Sequence, residues 1–190
     1  MKNGFRHIIV IAAILVFSLL FGLLCDFVLT GAEKKKYPLP YKEEILENAE
    51  ACNIPASLFA AVIRTESGFE ASLSGEDGGI GLLQITPGTY EKICGILPDG
   101  TTKDPAVLYD PAVNLKSGAH WLQYLYMRYG NWKMALAAFR VGTDRADEWC
   151  LDETVTDKNG NFRKIPDKAV ASYLSSVEKA RAKYESLWGL

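Results

Sequence analysis

Apolar residues recur three and four positions apart along most of the chain from residue 41 onward, and the alternating pattern typical of β-strands is almost absent. Proline and capping residues mark where helices begin, because Pro55, Thr86-Pro87 and Asp110-Pro111 each suit the first turn of a helix. The pattern therefore predicts a mainly α domain over residues 41–190. Its predicted helices include residues 87–94, 110–129, 132–141 and 167–187.

The first 32 residues follow a different pattern. Lys2 and Arg6 precede an uncharged apolar run over residues 8–25, which is long enough to be a transmembrane helix. Secretory signal peptides have shorter apolar regions, but Thr30-Gly31-Ala32 could serve as a cleavage site, so a cleaved signal peptide stays open. We interpret residues 1–32 as a cytoplasmic stub with a transmembrane anchor.

Residues 33–40 are interpreted as a linker between this anchor and the domain. The prolines at its end make it stiff. Charge gives a mixed signal for orientation, because Lys34, Lys35 and Lys36 oppose the basic residues at the N-terminus.

Composition excludes several classes of function. The net charge is −2, with 21 basic and 23 acidic residues, which gives no electrostatic reason to expect nucleic acid as a partner. The two histidines, His7 and His120, make a histidine-based triad or zinc site improbable. We expect no metal and no cofactor. The domain's three cysteines, Cys52, Cys94 and Cys150, leave one disulfide possible, but we interpret them as small buried side chains.

One carboxyl group lies on an apolar helical stripe. Phe59, Val62, Ile63 and Glu66 follow one another at helical spacing, and Gly68 is suited to end the helix in a left-handed conformation. A carboxyl group at the buried end of such a stripe loses water, which raises its pKa. A proton kept near neutral pH is what a general acid requires, so Glu66 is the candidate catalytic residue.

A glycine-rich loop follows this helix. Residues 75–81 contain four glycines and two acidic residues, and they lead into Leu82-Leu83-Gln84. Glycines allow a ligand to approach the main chain closely. A phosphate-binding loop is excluded, because no Gly-Lys-Ser/Thr follows.

These residues resemble the motifs of lytic transglycosylases, lysozyme-like enzymes that cleave peptidoglycan. Glu66-Ser67 is similar to the family's ES motif, and Gly81-Leu82-Leu83-Gln84 is similar to its GLMQ motif. Asp110-Pro111 with Asn114 and Gly118 resembles its DP…N…G helix. The resemblance implies the mainly α, lysozyme-like fold of goose-type lysozymes and soluble lytic transglycosylases, with a substrate cleft.

The resemblance also implies a reaction. Glu66 would act as acid and then as base while the β-1,4 bond between N-acetylmuramic acid and N-acetylglucosamine is cut and a 1,6-anhydro end forms. Ser67 and Gln84 would orient Glu66 and the glycan, and Tyr173 would supply a hydroxyl group. The partners would be peptidoglycan strands and the membrane. The domain would be a monomer on the extracytoplasmic face, or secreted if the signal is cleaved.

Two residues in the expected substrate site depart from the family. Ala138-Phe139-Arg140-Val141-Gly142 stands where the family has A-Y-N-x-G. Phe139 lacks the hydroxyl group that the family's tyrosine offers to the glutamate, and the cation of Arg140 would favour the ionised form of Glu66. Two alternatives therefore stay open: a hydrolytic muramidase that uses the same glutamate, and a catalytically degenerate domain that binds the cell wall or acts as a scaffold.

Overall fold

A computed structural model describes residues 2–97 and 102–190, with side chains described from residue 15 onward. It divides the chain into two compact units, one that ends at Pro38 and one over Leu39–Leu190. The sequence Pro98-Asp99-Gly100 predicts a turn, and these residues lie outside the described part of the chain.

The first unit is a single helix, α1, over Lys2–Lys36. Its segment Leu15–Lys36 has a mean hydropathy of 2.1, and none of it is buried. By length and composition, this helix is long and apolar enough to cross a membrane. A signal sequence near the N-terminus would have the same properties. The helix continues through residues 33–36, which the sequence pattern had assigned to the linker.

The second unit is helical, as predicted. Its β pairing, over the residues described, consists of isolated bridges such as Ser74 with Ile80 and Thr156 with Phe162. A short 3₁₀ helix covers Pro105–Tyr109. The α-helices are α2 Lys42–Ala51, α3 Ala56–Glu66, α4 Pro87–Cys94, α5 Pro111–Tyr129, α6 Trp132–Val141, α7 Thr143–Leu151 and α8 Lys168–Trp188.

The predicted capping residues begin their helices. Thr86 accepts a hydrogen bond from the backbone N–H of Thr89 at 3.2 Å, directly before Pro87. Asp110 accepts one from the N–H of Ala112 at 2.8 Å, directly before a second proline. Each side chain satisfies a donor that the first turn would leave unpaired, so the positions of α4 and α5 follow from local chemistry.

Three expectations about helices and burial were wrong. Helix α7 was not predicted, because Ala146 and Trp149 are its only buried residues and so short a stripe gives little periodic signal. Tyr126 follows Leu115, Ala119 and Leu122 at helical spacing, which predicts that it faces the core, but it is exposed and stacks on Trp132 with ring centroids 4.2 Å apart. Of the domain's three cysteines only Cys52 is buried, and all are free thiols.

Helix α3 forms the centre of the domain. Every residue from Ser57 to Ile63 is buried, and α3 packs against α2 and α8. Burying a large apolar side chain contributes about 1.5–3 kcal/mol, so Phe59, Val62 and Ile63 hold the helix firmly in register. This packing fixes the position of the helix's last residue, Glu66.

Candidate active site

The backbone directly after α3 turns sharply away from the helix axis. Helix α3 ends at Glu66, and Gly68 has a φ of +62°, the left-handed conformation predicted for it. Phe69 also has a positive φ, +72°, and its buried ring packs edge-on against Tyr184. A left-handed phenylalanine is strained, so the packing of its ring holds the turn in place.

Glu66 lies in the wall of a cleft of about 680 Å³. The glycine loop and Gln84 form one side of this cleft, and residues 138–143 form the other. The N-terminus of α8, with its cap Asp167 and with Val170, completes the lining. The cleft therefore brings together segments that are far apart in the sequence.

The carboxyl group of Glu66 is nearly removed from solvent. Its side chain is 5% exposed, and its buried Oε1 has no hydrogen-bond partner among the described residues. Burial raises the pKa of Glu66, while the Tyr173 hydroxyl and the Arg140 cation lower it by less, so the pKa stays above its ordinary value. Glu66 is therefore suited to hold a proton.

Tyr173, which the resemblance suggests as a hydroxyl donor, lies beside Glu66. Its hydroxyl is buried and close enough to the carboxyl group to lower the pKa of Glu66. Neither Tyr173 Oη nor Glu66 Oε1, however, has a contact with the distance and angle of a hydrogen bond in the described residues. The two groups are therefore close neighbours whose hydrogen-bonding capacity is unused. Burial raises the pKa of Tyr173, so its hydroxyl remains a donor at neutral pH.

Arg140 also contacts the carboxyl group, at the limit of an ion pair. Its Nη1 lies 3.9 Å from Glu66 Oε2, too far for a hydrogen bond, and its side chain is 46% exposed. The guanidinium carbon lies 6.0 Å from the centroid of the Tyr173 ring. Phe139, half-buried beside it, lines the cleft with a ring that has no hydroxyl to offer Glu66.

Ser67 ties the end of α3 to the loop instead of facing the cleft. Its hydroxyl lies 2.8 Å from the carbonyl oxygen of Leu82 and 3.3 Å from that of Ile63, and it accepts from the N–H of Phe69 at 3.1 Å. A hydroxyl with these backbone partners positions Glu66 through the main chain.

Gln84 lines the cleft and braces the glycine loop from within. Its Nε2 donates to the carbonyl oxygens of Gly81 at 2.8 Å and Leu73 at 3.2 Å. A Cβ atom on Gly79 would lie 2.8 Å from the carbonyl oxygen of Gln84, and one on Gly75 would collide with its side-chain amide. These two glycines are therefore required by the close approach of Gln84.

Asn114 holds the same loop from the other side. Its buried amide accepts from the N–H of Leu83 at 2.9 Å and donates to the carbonyl oxygens of Ile80 at 2.9 Å and Leu108 at 2.8 Å. One turn later, Gly118 leaves room for the side chain of Leu83. The spacing of asparagine and glycine on α5 therefore serves to seat the loop.

The other acidic residues of the cleft differ from Glu66. Glu76 and Asp77 are exposed in the glycine loop. Asp167 caps α8 by accepting from the N–H groups of Ala169 and Val170. Among the described lining residues, Glu66 is thus the carboxyl group that burial prepares to act as an acid.

Sequence reasoning missed several lining residues. Trp121 is 4% exposed and stacks on Tyr124 with ring centroids 5.2 Å apart, while Lys92 lies at the rim with its Nζ 3.4 Å from the Thr143 hydroxyl. These residues reach the cleft only because their helices pack there, and no local motif marks them.

Comparison with known proteins agrees with this geometry. The family model described as the Transglycosylase SLT domain matches residues 43–162. The soluble lytic murein transglycosylase of Escherichia coli K12 is 27% identical over 158 residues, which cover 82% of this chain and 24% of that protein. A transglycosylase from the enterobacterial phage PRD1 is 33% identical over 95 residues, covering 50% of this chain and 32% of that protein.

Solved structures share the fold. The 70-kDa soluble lytic transglycosylase in complex with bulgecin A matches with a TM-score of 0.73 and 26% identity, over 83% of this chain and 26% of that one. The lytic transglycosylase Slt of Pseudomonas aeruginosa, an inactive mutant, matches with a TM-score of 0.68 and 22% identity, over 82% and 25%. The chain spans about a quarter of the length of the soluble lytic transglycosylases it matches. The predicted lysozyme-like fold is confirmed, and the chain belongs to the Transglycosylase SLT domain family.

Proposed function

We propose that this chain is a peptidoglycan lytic transglycosylase that cuts the β-1,4 bond between N-acetylmuramic acid and N-acetylglucosamine. The observation that carries this proposal is Glu66: a carboxyl group with a raised pKa, 5% exposed, at the wall of a 680 Å³ cleft. Family membership supports the substrate class.

In the first step Glu66 acts as an acid. Its proton passes to the glycosidic oxygen as the bond between that oxygen and C1 of the muramoyl ring breaks. The positive charge that develops at C1 is stabilised by the carbonyl oxygen of the substrate's own acetamide group. The Tyr173 hydroxyl and the Arg140 cation favour the carboxylate that remains on Glu66.

In the second step Glu66 acts as a base. The carboxylate takes the proton of the muramoyl C6 hydroxyl while its oxygen bonds to C1 and closes the 1,6-anhydro ring. Glu66 thereby regains its proton, and no water is consumed. One carboxyl group is enough for this route, whereas most glycosidases need a pair.

The arrangement of carboxyl groups supports the single-acid route. Asp167 is committed to the N-terminus of α8 and lies 3.8 Å from Arg145, and Glu76 and Asp77 are solvated. There are two alternatives. One is a muramidase that uses Glu66 and an activated water, and the other is a non-catalytic domain that binds the cell wall.

Helix α1 is proposed to anchor the protein in the membrane, with the second unit on the extracytoplasmic face where peptidoglycan lies. Its unburied apolar surface from residue 15 to residue 36 supports this. Mass spectrometry of the mature chain tests it: loss of about the first 32 residues would show a cleaved signal peptide instead.

Digestion of purified peptidoglycan by the full-length chain tests the reaction. We expect muropeptides with anhydro ends in the mass spectrum. Reducing muramic acid ends would establish the muramidase alternative, and strand binding without any product would establish the degenerate domain. The Glu66→Gln variant is the control, because it keeps the side-chain shape and removes the proton donor.

A further inference from the structure

Arg140 projects an unused set of donors into the cleft. It lies one residue before the end of α6, its side chain is 46% exposed, and it lines the cleft beside Phe139. Among the residues that the structure describes, its contacts are the 3.9 Å approach to Glu66 and the face of the Tyr173 ring. Neither is a hydrogen bond, so the N–H groups of its guanidinium remain available.

The charge of Arg140 also lacks a stable counter-charge. Glu66 is the one carboxyl group within 4.0 Å of it in the described part of the chain. Since burial favours the protonated form of Glu66, that neighbour is neutral when the acid is ready to act. A guanidinium in this state is suited to bind a carboxylate through two parallel hydrogen bonds.

The next step rests on the proposed function. Of the two sugars in a peptidoglycan strand, only N-acetylmuramic acid carries an acidic group, the lactyl carboxyl on C3. This carbon is two ring positions from C1, where the bond breaks, and Glu66 must reach the oxygen on C1. In intact peptidoglycan the lactyl carboxyl forms an amide with the peptide and is neutral, whereas in strands without peptides it is a carboxylate.

We propose that Arg140 binds the free lactyl carboxylate of the muramoyl residue being cleaved, so that the cleft prefers glycan strands from which the peptides have been removed. The protein then acts after a reaction that hydrolyses the amide bond between the lactyl group and the peptide.

Two substrates that differ in one group test this. Peptide-free strands are compared with the same strands after their lactyl carboxylates are converted to neutral methylamides. We expect kcat/KM of the wild type to be about tenfold higher on the carboxylate strands, the effect of one half-exposed charged hydrogen-bonding pair. Arg140→Gln should bring the ratio close to one, because its loss should be about tenfold larger on the carboxylate strands than on the methylamide strands, and Arg140→Lys should give an intermediate ratio.

Lys92→Gln is the matched control, since it removes another cation of the same cleft and should leave the ratio unchanged. Equal wild-type rates on both substrates, or a ratio that survives Arg140→Gln, would overturn the proposal. If the wild type cleaves neither substrate, the proposed function fails, and calorimetric binding of both strands to Glu66→Gln decides the role of Arg140. The same tenfold preference is expected there, and equal affinities would refute it.

Discussion

The glycine loop and the site around Glu66 are neighbours with opposite hydrogen bonding. Around the loop, the side chains of Ser67, Gln84 and Asn114 form hydrogen bonds with main-chain groups. At the acid, the buried oxygens of Glu66 and Tyr173 have no partner in the described residues. Buried polar atoms are normally paired, so unpaired ones next to a cleft indicate where a ligand supplies the missing partner. The hydrogen bonds around the loop stabilise its conformation, whereas the unpaired groups at Glu66 remain available to a substrate.

Replacing the acid should have the largest effect on activity. We expect Glu66→Gln to lower the release of anhydro products by about 10³-fold, since general acid catalysis contributes about 10²–10⁴. Product yield by mass spectrometry measures this, with exposed Glu70→Gln as the control. Turnover by the variant close to that of the wild type would show that Glu66 is not the acid.

The same variant should be more stable than the wild type, and increasingly so as the pH rises. The pKa of Glu66 is higher in the folded state than its ordinary 4.5, so its proton stabilises the fold below that value and this contribution is lost as pH rises through the folded pKa. Glutamine has no such loss. Melting temperatures of both proteins from acidic to mildly alkaline pH measure it, and a constant difference would contradict the raised pKa.

Removing the loop's buried amide should mainly affect stability. Asn114→Ala leaves the N–H of Leu83 and the carbonyl oxygen of Leu108 buried without partners, while the carbonyl oxygen of Ile80 still accepts from the N–H of Ile85. The free energy of unfolding should fall by about 3 kcal/mol. Urea denaturation measures this. Asn48→Ala, which removes one exposed hydrogen bond to the carbonyl oxygen of Glu44, should cost less than about 0.5 kcal/mol. Similar losses in both variants would show that Asn114 does not pin the loop.

A methyl group can test how tightly the loop is seated. Gly118→Ala should cost about 1–3 kcal/mol, because its Cβ would overlap the side chain of Leu83. Gly88→Ala is the matched control in α4: no atom lies within 4 Å of its Cβ position, so it should be neutral or slightly stabilising. Equal melting temperatures for the two variants would count against tight seating.

The pH profile should reveal how Arg140 acts on the acid. Activity should fall as the pH rises through the pKa of Glu66, because the acid must carry its proton. Arg140 lowers that pKa, so Arg140→Gln should move the descending limb of kcat/KM to higher pH. Lys92→Gln should move it less. A limb that stays in place would mean that Arg140 does not act electrostatically on Glu66.

The smallest effect is expected from restoring a hydroxyl group. Phe139→Tyr should leave activity equal or up to a few-fold higher, since a hydroxyl added at the cleft wall offers a hydrogen bond to Glu66 of about 1 kcal/mol. Initial rates on purified peptidoglycan measure this. A large loss would show that the wall around Phe139 is built differently from the family's.

Local chemistry predicted much of the fold. Three helix ends depend on residues within one turn, so they could be predicted from the local sequence: the caps at Thr86 and Asp110 and the left-handed end at Gly68. Helix α7 was missed because Gly142 caps it without a side chain and few of its residues are buried. A helix that is defined mainly by its surroundings leaves little trace in the sequence.

In the candidate site too, local features could be predicted from the sequence, whereas contacts between distant segments could not. Glu66 was predicted from its stripe, because burial of one helix face is a local pattern. The partners of Ser67 and Asn114 could not be predicted from local pattern, since they depend on how far the loop folds back over 15 and 31 residues. The approach of Arg140 to Glu66 was foreseen only through the resemblance to a family, and its length of 3.9 Å needed coordinates.

The place where α3 stops also acts on the acid electrostatically. Glu66 is the last residue of that helix, and the aligned peptide dipoles give a helix C-terminus a partial negative charge of about half an electron. A negative charge on Glu66 is disfavoured next to this partial charge, so the helix dipole favours the protonated form of the carboxyl group. Helix α3 thus both positions Glu66 at the cleft and helps its carboxyl group to stay protonated.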